Sequence, residues 1–213
     1  ADSAYAIPNL PGLNVTPLPT STPAPTATPL PTASPTPITY ESLIPAGWTQ
    51  FKSEAAPGME IWFPPSYEVL TESLMNANDM NYVPRPYAES QEGLTSILNL
   101  VDMTQSPYTL YTTFGMSTQP MPAADLDKAI DQEFGNMMRT AILVERSNFE
   151  IGNYLARKVV FDITGNGVNA GLVAYLIQEN GTVWYLGFTT PYNELYTRMP
   201  GFDQIAQTFR VKP

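Results

Sequence analysis

The sequence of 213 residues contains no cysteine and no histidine. Without cysteine the chain can form no disulfide bond and has no thiolate nucleophile. Without histidine it lacks the commonest general base and the commonest metal ligand. It also has no Gly-x-Ser-x-Gly elbow, Ser-x-x-Lys dyad or P-loop. These absences exclude most hydrolase mechanisms, so we predict a non-catalytic protein without a cofactor and without a metal site.

Charged residues are scarce, at 14% of the chain, and 20 acidic against 10 basic side chains give a net charge of −10. Nucleic-acid binding needs Lys and Arg to neutralise phosphates, and an anionic membrane surface repels an acidic protein. We therefore expect no nucleic-acid partner, and we interpret the acidity as a source of solubility. The longest apolar run, residues 170–177, is far shorter than the roughly 20 residues that span a bilayer, so no transmembrane segment is expected.

The sequence begins with Ala1 rather than methionine, and the residues that follow include further small side chains. Such a start is typical of what remains after a secretory signal peptide has been cleaved. We therefore expect a protein that is exported to the cell surface or the extracellular space.

Prolines recur every two to six residues between Pro8 and Pro37, with Thr, Ser and Ala between them. Each proline fixes its own φ and favours extended geometry in the preceding residue, so this composition predicts a polyproline II-like segment without a core. Residues 16–39 are predicted to form an extended spacer with a reach of roughly 70 Å. A sequon at Asn14 and Thr16 makes these residues candidates for glycosylation.

Residues 1–15 differ from the spacer because they carry apolar side chains at wide, near-alternating intervals. We call them the N-terminal strip; its apolar residues are Tyr5, Ile7, Leu10, Leu13 and Val15. A segment of this kind can add to an exposed sheet edge or fill a groove on another subunit. We predict that the strip docks on a protein partner, and that this partner is a second copy of the chain.

The globular part is expected to span residues 40–213 and to open with a β-hairpin. Residues 48–51 and 59–63 are rich in aromatic and aliphatic side chains, which favours strands, and Pro57-Gly58 between them has the composition of a turn. Residues 94–103 are predicted to form a further strand.

A polar segment rich in Asn, Pro and Tyr, residues 72–93, is predicted to be a long loop. Long ordered loops are often binding surfaces. Tyr82, Arg85 and Tyr87 are its candidate contact residues, and the tyrosine rings are suited to a protein or a sugar. A surface loop without a binding role is the alternative.

Residues 125–139 show the clearest helical period, with acidic residues at the start where the helix dipole favours negative charge. Residues 201–209 repeat the helical spacing and predict a second helix. Asp125, Asp127 and Asp131 could supply oxygen ligands to calcium, but the EF-hand pattern is absent, and we interpret them as acids of a helix start.

The segment from residue 142 to residue 189 predicts a meander of strands rich in β-branched and aromatic residues. Asn180-Gly181 is a strong signal for a two-residue type I′ turn, since both residues tolerate positive φ. Pairing outward from this turn makes both faces of the hairpin apolar, which indicates a sheet with helices on both faces. The predicted class is α/β (α+β) with a central antiparallel sheet. The glycines of residues 165–171 lack the spacing of a dinucleotide loop and predict a hairpin loop.

Several of these features, taken in order, resemble PsbP-like domains. They are Trp48 to Phe51, Ile61-Trp62-Phe63-Pro64 leading into Tyr67, the helix of residues 125–139, Ile151-Gly152-Asn153-Tyr154-Leu155-Ala156, the Asn180-Gly181 hairpin, and the ending Thr208-Phe209. The resemblance covers residues 44–211 and leaves out the Pro/Thr-rich arm. It implies an antiparallel sheet between helices, and a family whose members usually act as non-catalytic accessory or assembly subunits outside the cytoplasm.

Together these features predict a non-catalytic extracellular structural or assembly subunit, with the N-terminal strip docked on a neighbouring subunit of a filament or layer. One alternative is a tethered surface module that binds polysaccharide or protein through the loop of residues 72–93. Another is an accessory subunit of a membrane complex.

Overall fold

The computed structural model describes residues 39–77, 94–104, 111–121, 125–165 and 168–212. Its strands and α-helices in chain order are β1 (Thr49–Ser53), β2 (Ala56–Phe63), β3 (Tyr67–Val69), α1 (Glu72–Ala77), β4 (Thr95–Asp102), β5 (Thr113–Pro120), α2 (Leu126–Phe134), β6 (Ile142–Ile151), β7 (Tyr154–Gly165), β8 (Val168–Glu179), β9 (Thr182–Pro191), α3 (Leu195–Gln207) and β10 (Arg210–Val211). Short 3-10 turns occupy Tyr40–Leu43, Met137–Arg139 and Tyr192–Glu194.

The described strands form two antiparallel sheets. The large sheet has seven strands in the order β3-β4-β5-β9-β8-β7-β6, and the small sheet has the order β1-β2-β10. The predicted meander therefore forms the continuous part β6-β7-β8-β9 of the large sheet. The strand β6 is a terminal strand of this sheet.

The β8–β9 hairpin confirms the predicted turn and register. Asn180 and Gly181 have φ values of 45° and 74°, as a type I′ turn requires. Tyr175 pairs with Leu186 and Leu176 pairs with Tyr185. Of the predicted glycine-rich loop of residues 165–171, Gly165 ends β7 and residues 168–171 belong to β8. The two strands pair from Leu155 with Gln178 to Gly165 with Val168.

Both faces of the large sheet are covered by helices, which confirms the predicted fold class. On one face, here called the α3 face, side chains such as Tyr175 pack with α3 and with β2 of the small sheet. On the opposite α2 face, side chains such as Leu176 pack against Leu126 and Ile130 of α2. Since successive residues of a strand point to opposite faces, the apolar runs of β8 and β9 supply both cores.

Aromatic rings dominate the core on the α3 face. Phe188 of β9 stacks on Phe202 of α3, with 4.4 Å between ring centroids. Phe114 of β5 lies 4.8 Å from Phe188 and 4.8 Å from Phe63 of β2. These rings join α3, the small sheet and the large sheet into one core.

Ionic contacts also hold α3 and β10 in place against this core. Lys158 of β7 is buried and lies 2.7 Å from a carboxylate oxygen of Asp203 on α3. Glu60 of β2 accepts hydrogen bonds from Arg210 of β10 (2.6 Å) and from Lys212 (2.5 Å). Burial alone would raise the pKa of Glu60, but these two hydrogen bonds outweigh it and lower the pKa to about 2.

The predicted turn of the first hairpin was wrong. Ser53 pairs with Ala56, so residues 54–55 form the turn and Pro57-Gly58 lies inside β2. Gly58 has a φ of 90°, and a Cβ placed there would lie 2.6 Å from the carbonyl oxygen of Lys212. The glycine is therefore explained by the close approach of the C-terminal segment, a long-range contact that a local turn signal cannot reveal.

Helix bounds also differ from the sequence prediction. The first predicted helix ends at Phe134, and Gly135 separates it from the short turn Met137–Arg139. The second begins at Leu195, before the predicted start, and contains Pro200 within its first two turns. Residues 72–77 of the predicted loop form α1. The central strand β5 was not predicted, because Gly115 and the polar residues around it weaken its apolar alternation.

Candidate functional site

The strand β6 forms an open edge of the large sheet. Within the described ranges it pairs with β7 along its inner side, and no strand pairs with its outer side. An edge of this kind presents unpaired backbone N–H and C=O groups that can accept a further strand. The other terminal strand of the large sheet, β3, has only three residues. Among the edges of this sheet, β6 therefore offers the longer surface for strand addition.

The first three residues of β6 are exposed apolar residues. Ile142, Leu143 and Val144 have exposed fractions of 62%, 38% and 45%. We call these three residues the β6 patch. Among the described residues the other large exposed apolar side chains are Val69, Leu155 and Tyr196. Consecutive exposed apolar residues on an unpaired edge mark a surface for binding, because scattered single ones are ordinary but contiguous ones are not.

A β-bulge explains why three residues in a row are exposed. Leu143 pairs with Phe161 and Glu145 pairs with Val160, so Val144 has no partner on β7. A bulge bends the strand and re-aims its side chains. The alternation that buries every second residue of a regular strand is therefore interrupted within the β6 patch.

Aromatic and acidic residues border the β6 patch. Ile142 pairs with Asp162 of β7, whose Oδ1 atom is buried without a hydrogen-bond partner. The negative charge of Asp162 raises the pKa of the neighbouring Tyr192, and Tyr196 contributes to the same effect. Tyr196 is itself exposed. A partner that covers the patch would thus also meet the exposed ring of Tyr196.

The middle of β6 differs from the β6 patch, because ion pairs of Arg146 tie it to α2. Arg146 lies 3.0 Å from Asp127 and 2.8 Å from Asp131, and Arg157 of β7 lies 3.4 Å from Asp127. Hydrogen bonds from Arg157 and Arg146 lower the pKa of Asp127. Charged groups of this kind are a common protection of sheet edges. The three residues of the β6 patch carry no such charge.

Of the three acids predicted to mark a helix start, Asp125 and Asp127 lie at the start of α2, whereas Asp131 lies in its middle. The side chain of Asp125 accepts hydrogen bonds from the backbone N–H groups of Asp127 (3.0 Å) and Lys128 (3.2 Å) and thus caps α2. Asp127 and Asp131 serve the ion pairs with Arg146. Within the described ranges, no group of three or more acidic residues is arranged to hold a metal ion.

The predicted site residues fall on parts of the chain outside the described residues. This applies to the docking residues Tyr5, Ile7, Leu10, Leu13 and Val15, to the sequon residues Asn14 and Thr16, and to the loop residues Tyr82, Arg85 and Tyr87. Their roles stay predictions. The sequence does not mark the β6 patch as a site: the run Ile142-Leu143-Val144 predicts a strand of the meander and carries no signal that this strand is exposed.

In the described part of the chain, every helix is too short or too polar to cross a membrane. No protein-family model matches the sequence, and no curated protein matches it. The fold, in contrast, matches solved structures.

Two solved structures share the fold at low sequence identity. The cyanobacterial PsbP protein (CyanoP) of Synechocystis sp. PCC 6803 is 12% identical, with a TM-score of 0.54; the match covers 78% of this chain and 94% of that one. LpqN of Mycobacterium tuberculosis, described as involved in cell envelope biogenesis, is 15% identical, with a TM-score of 0.50; the match covers 78% of this chain and 91% of that one. The globular part therefore has the PsbP-like fold that the sequence resemblance implied.

Proposed function

We propose that this protein is a non-catalytic assembly subunit outside the cytoplasm, and that its N-terminal strip docks on the β6 edge of a neighbouring copy. The observation that carries the proposal is the β6 patch, a run of three exposed apolar residues on an unpaired edge strand. Strand addition would give the incoming backbone hydrogen-bond partners and would bury the patch.

The N-terminal strip suits this edge in polarity and spacing. Asp2 is the one charged side chain in residues 1–39, and Ile142, Leu143 and Val144 are uncharged as well. Tyr5 and Ile7, and again Leu13 and Val15, are two residues apart, as side chains on one face of a strand must be. Pro8 and Pro11 are an odd number of residues apart, so in an added strand one of them faces away from β6, where no N–H donor is needed, and the other removes a single hydrogen bond of the new ladder.

The attachment of Tyr40 to the globular domain is consistent with docking of the N-terminal strip on another molecule. Tyr40 is fixed to the domain because its hydroxyl donates a hydrogen bond to Thr208 O (2.7 Å), and Arg210 stacks on its ring at 3.5 Å. In the extended conformation that its prolines favour, the predicted spacer of residues 16–39 would have a reach of roughly 70 Å. That length is enough to bring the strip to another molecule.

Docking of this kind is heterologous, since the strip of one copy binds the β6 edge of the next. A heterologous contact that does not close into a ring produces a filament. The proposed location outside the cytoplasm rests on the Pro/Thr-rich arm and agrees with the described involvement of LpqN in cell envelope biogenesis. The acidic surface would keep the subunit soluble until it assembles.

The test compares the mass of three proteins in solution by light scattering, with electron microscopy of the same samples. They are the full chain, a chain beginning at Tyr40, and the full chain with Ile142→Lys. We expect polymers of the full chain and monomers of the other two. Leu155→Lys is the matched control, because Leu155 is similarly exposed (53%) but lies on β7, outside the patch. It should assemble like the full chain, and circular dichroism checks that each variant is folded.

Two results would contradict the proposal. Assembly of the chain beginning at Tyr40 would show that the strip is not needed. A monomeric full chain at all concentrations would make the arm a tether, and the partner would then have to be a different protein.

A further inference from the structure

The tip of the β8–β9 hairpin carries a second sequon. Asn180, Gly181 and Thr182 follow the Asn-x-Thr pattern that marks acceptors of N-linked glycans. The chain contains one other such pattern, at Asn14 and Thr16, outside the described residues. Glycosylation adds a bulky hydrophilic group that only a surface position tolerates. The place of Asn180 in the fold therefore decides whether this sequon is suited to modification.

The Asn180 side chain is accessible, and the fold makes little use of it. Asn180 is exposed at the two-residue turn, beyond the last pair of the hairpin, Glu179 with Thr182. Within the described residues its side chain makes one hydrogen bond, from Nδ2 to Oε1 of the neighbouring Glu179. An N-linked sugar replaces one of the two hydrogens on Nδ2 and leaves the other, so this bond can persist. Attachment of a glycan would therefore break no hydrogen bond to another element.

The backbone of the turn is held without help from this side chain. Asn180 and Gly181 have φ values of 45° and 74°, the conformation of a type I′ turn. The Gly181 carbonyl oxygen also accepts a hydrogen bond from the backbone N–H of Met121, which follows β5, at 2.7 Å. Aspartate before glycine suits the same turn as asparagine does. Asn180→Asp should therefore remove the acceptor nitrogen while the hairpin keeps its geometry.

We propose that Asn180 is glycosylated, with a lipid-diphosphate-linked oligosaccharide as the sugar donor. In this transfer Nδ2 forms a bond to the anomeric carbon of the oligosaccharide and loses a proton. The bond between that carbon and the diphosphate oxygen breaks, and the lipid diphosphate leaves with the electron pair. A membrane-bound transferase catalyses the step and recognises the Thr182 hydroxyl. Glycosylation of this kind rests on the export in the proposed function, since the sequon pattern applies to secreted proteins.

The glycan would lie at the end of the sheet opposite the β6 patch. Ile142 pairs with Asp162, which pairs with Gly171 of β8. Asn180 follows the far end of β8, nine residues beyond Gly171. At about 3.3 Å per residue, the two sites are roughly 30 Å apart. A glycan at Asn180 therefore shields this end of the sheet from contacts and leaves the β6 edge free for strand addition.

The test is peptide mapping by mass spectrometry of the full chain purified from outside its own cells. Trypsin releases residues 159–198 as one peptide, in which Asn180-Gly181-Thr182 is the only sequon. We expect this peptide to carry an added oligosaccharide and to give sugar fragment ions. Asn180→Asp and Thr182→Val should each abolish the addition. Thr182→Ser is the matched control, because it keeps the hydroxyl of the sequon, and it should be glycosylated like the unmodified chain.

Light scattering of the same proteins separates this inference from the docking of the N-terminal strip. Asn180→Asp should form polymers as the unmodified chain does. A glycosylated chain that stays monomeric would support the modification and contradict the docking. If residues 159–198 are unmodified in chain recovered outside the cell, the inference is overturned, whether or not polymers form. An unmodified chain found only in the cytoplasm would contradict both this inference and the proposed location.

Discussion

The α3 face of the large sheet and its β6 edge both carry apolar side chains, but only those of the α3 face are covered. Phe188 is fully buried among aromatic rings, whereas Ile142 is 62% exposed. Apolar burial is the main source of stability, so the α3 face holds the fold together. Exposed apolar groups at the β6 edge add little to the fold of a single copy. The difference indicates that the α3 face serves folding and the β6 edge serves association.

The largest expected effect on stability comes from removing a buried aromatic ring of the α3 face. Phe188→Ala should lower the free energy of unfolding by about 3–5 kcal/mol, because it leaves a cavity between Phe114 and Phe202. Urea unfolding followed by tryptophan fluorescence measures this loss. Leu155→Ala, at an exposed position, should change the value by less than about 0.5 kcal/mol. Equal losses of unfolding free energy for the two variants would contradict the proposed difference between the covered α3 face and an exposed position.

Glu133 makes the α2 face sensitive to pH. Burial raises the pKa of this carboxyl group to about 7, above its usual value near 4.5. The folded state thus keeps a proton that the unfolded state releases, and stability should fall by about 2–3 kcal/mol as the pH rises from 4.5 to 7. Glu133→Gln should remove this decline in urea titrations at several pH values. An unchanged decline in the variant would assign it to another group.

Glu60 should act in the opposite direction at the small sheet. Its pKa of about 2 in the folded state means that its contribution is complete above pH 4.5 and is lost as the pH falls toward 2. We expect a loss of about 1–2 kcal/mol, since Lys212 is partly exposed and solvent weakens its pairing. Glu60→Gln should flatten the acid side of the stability profile. Retention of the full acid-induced loss in this variant would contradict the assignment.

The smallest effect on stability is expected at the β6 edge. Ile142→Lys should change the free energy of unfolding of the monomer by less than about 0.5 kcal/mol, because the side chain is already exposed. The same change should abolish assembly. A loss of more than about 2 kcal/mol would show that Ile142 belongs to the core and not to a docking surface.

The fold class and several local features were predictable, whereas two features that depend on long-range contacts were not. The β8–β9 hairpin followed from the turn chemistry of Asn180-Gly181, which fixes the register of every pair beyond it. In contrast, β5 pairs on one side with β9, which lies far along the chain, and Gly115 with the polar residues around it weakens the apolar alternation of β5. Gly58 was mistaken for a turn residue because its contact with Lys212 spans most of the chain.

The candidate site shows the same limit. Ile142, Leu143 and Val144 predicted a strand, but whether a strand is central or terminal depends on the pairing of all the others. The roles of the strip and loop residues, in comparison, were inferred from composition alone and await experiments.

The most direct test mixes a chain that supplies the N-terminal strip with a chain that supplies an intact β6 edge. The full chain with Ile142→Lys keeps the N-terminal strip but has a damaged β6 edge, and the chain beginning at Tyr40 keeps the edge but lacks the strip. Light scattering should show each as a monomer alone and a one-to-one complex when they are mixed. If the mixture stays monomeric while the unmodified chain assembles, the strip does not dock on the β6 edge.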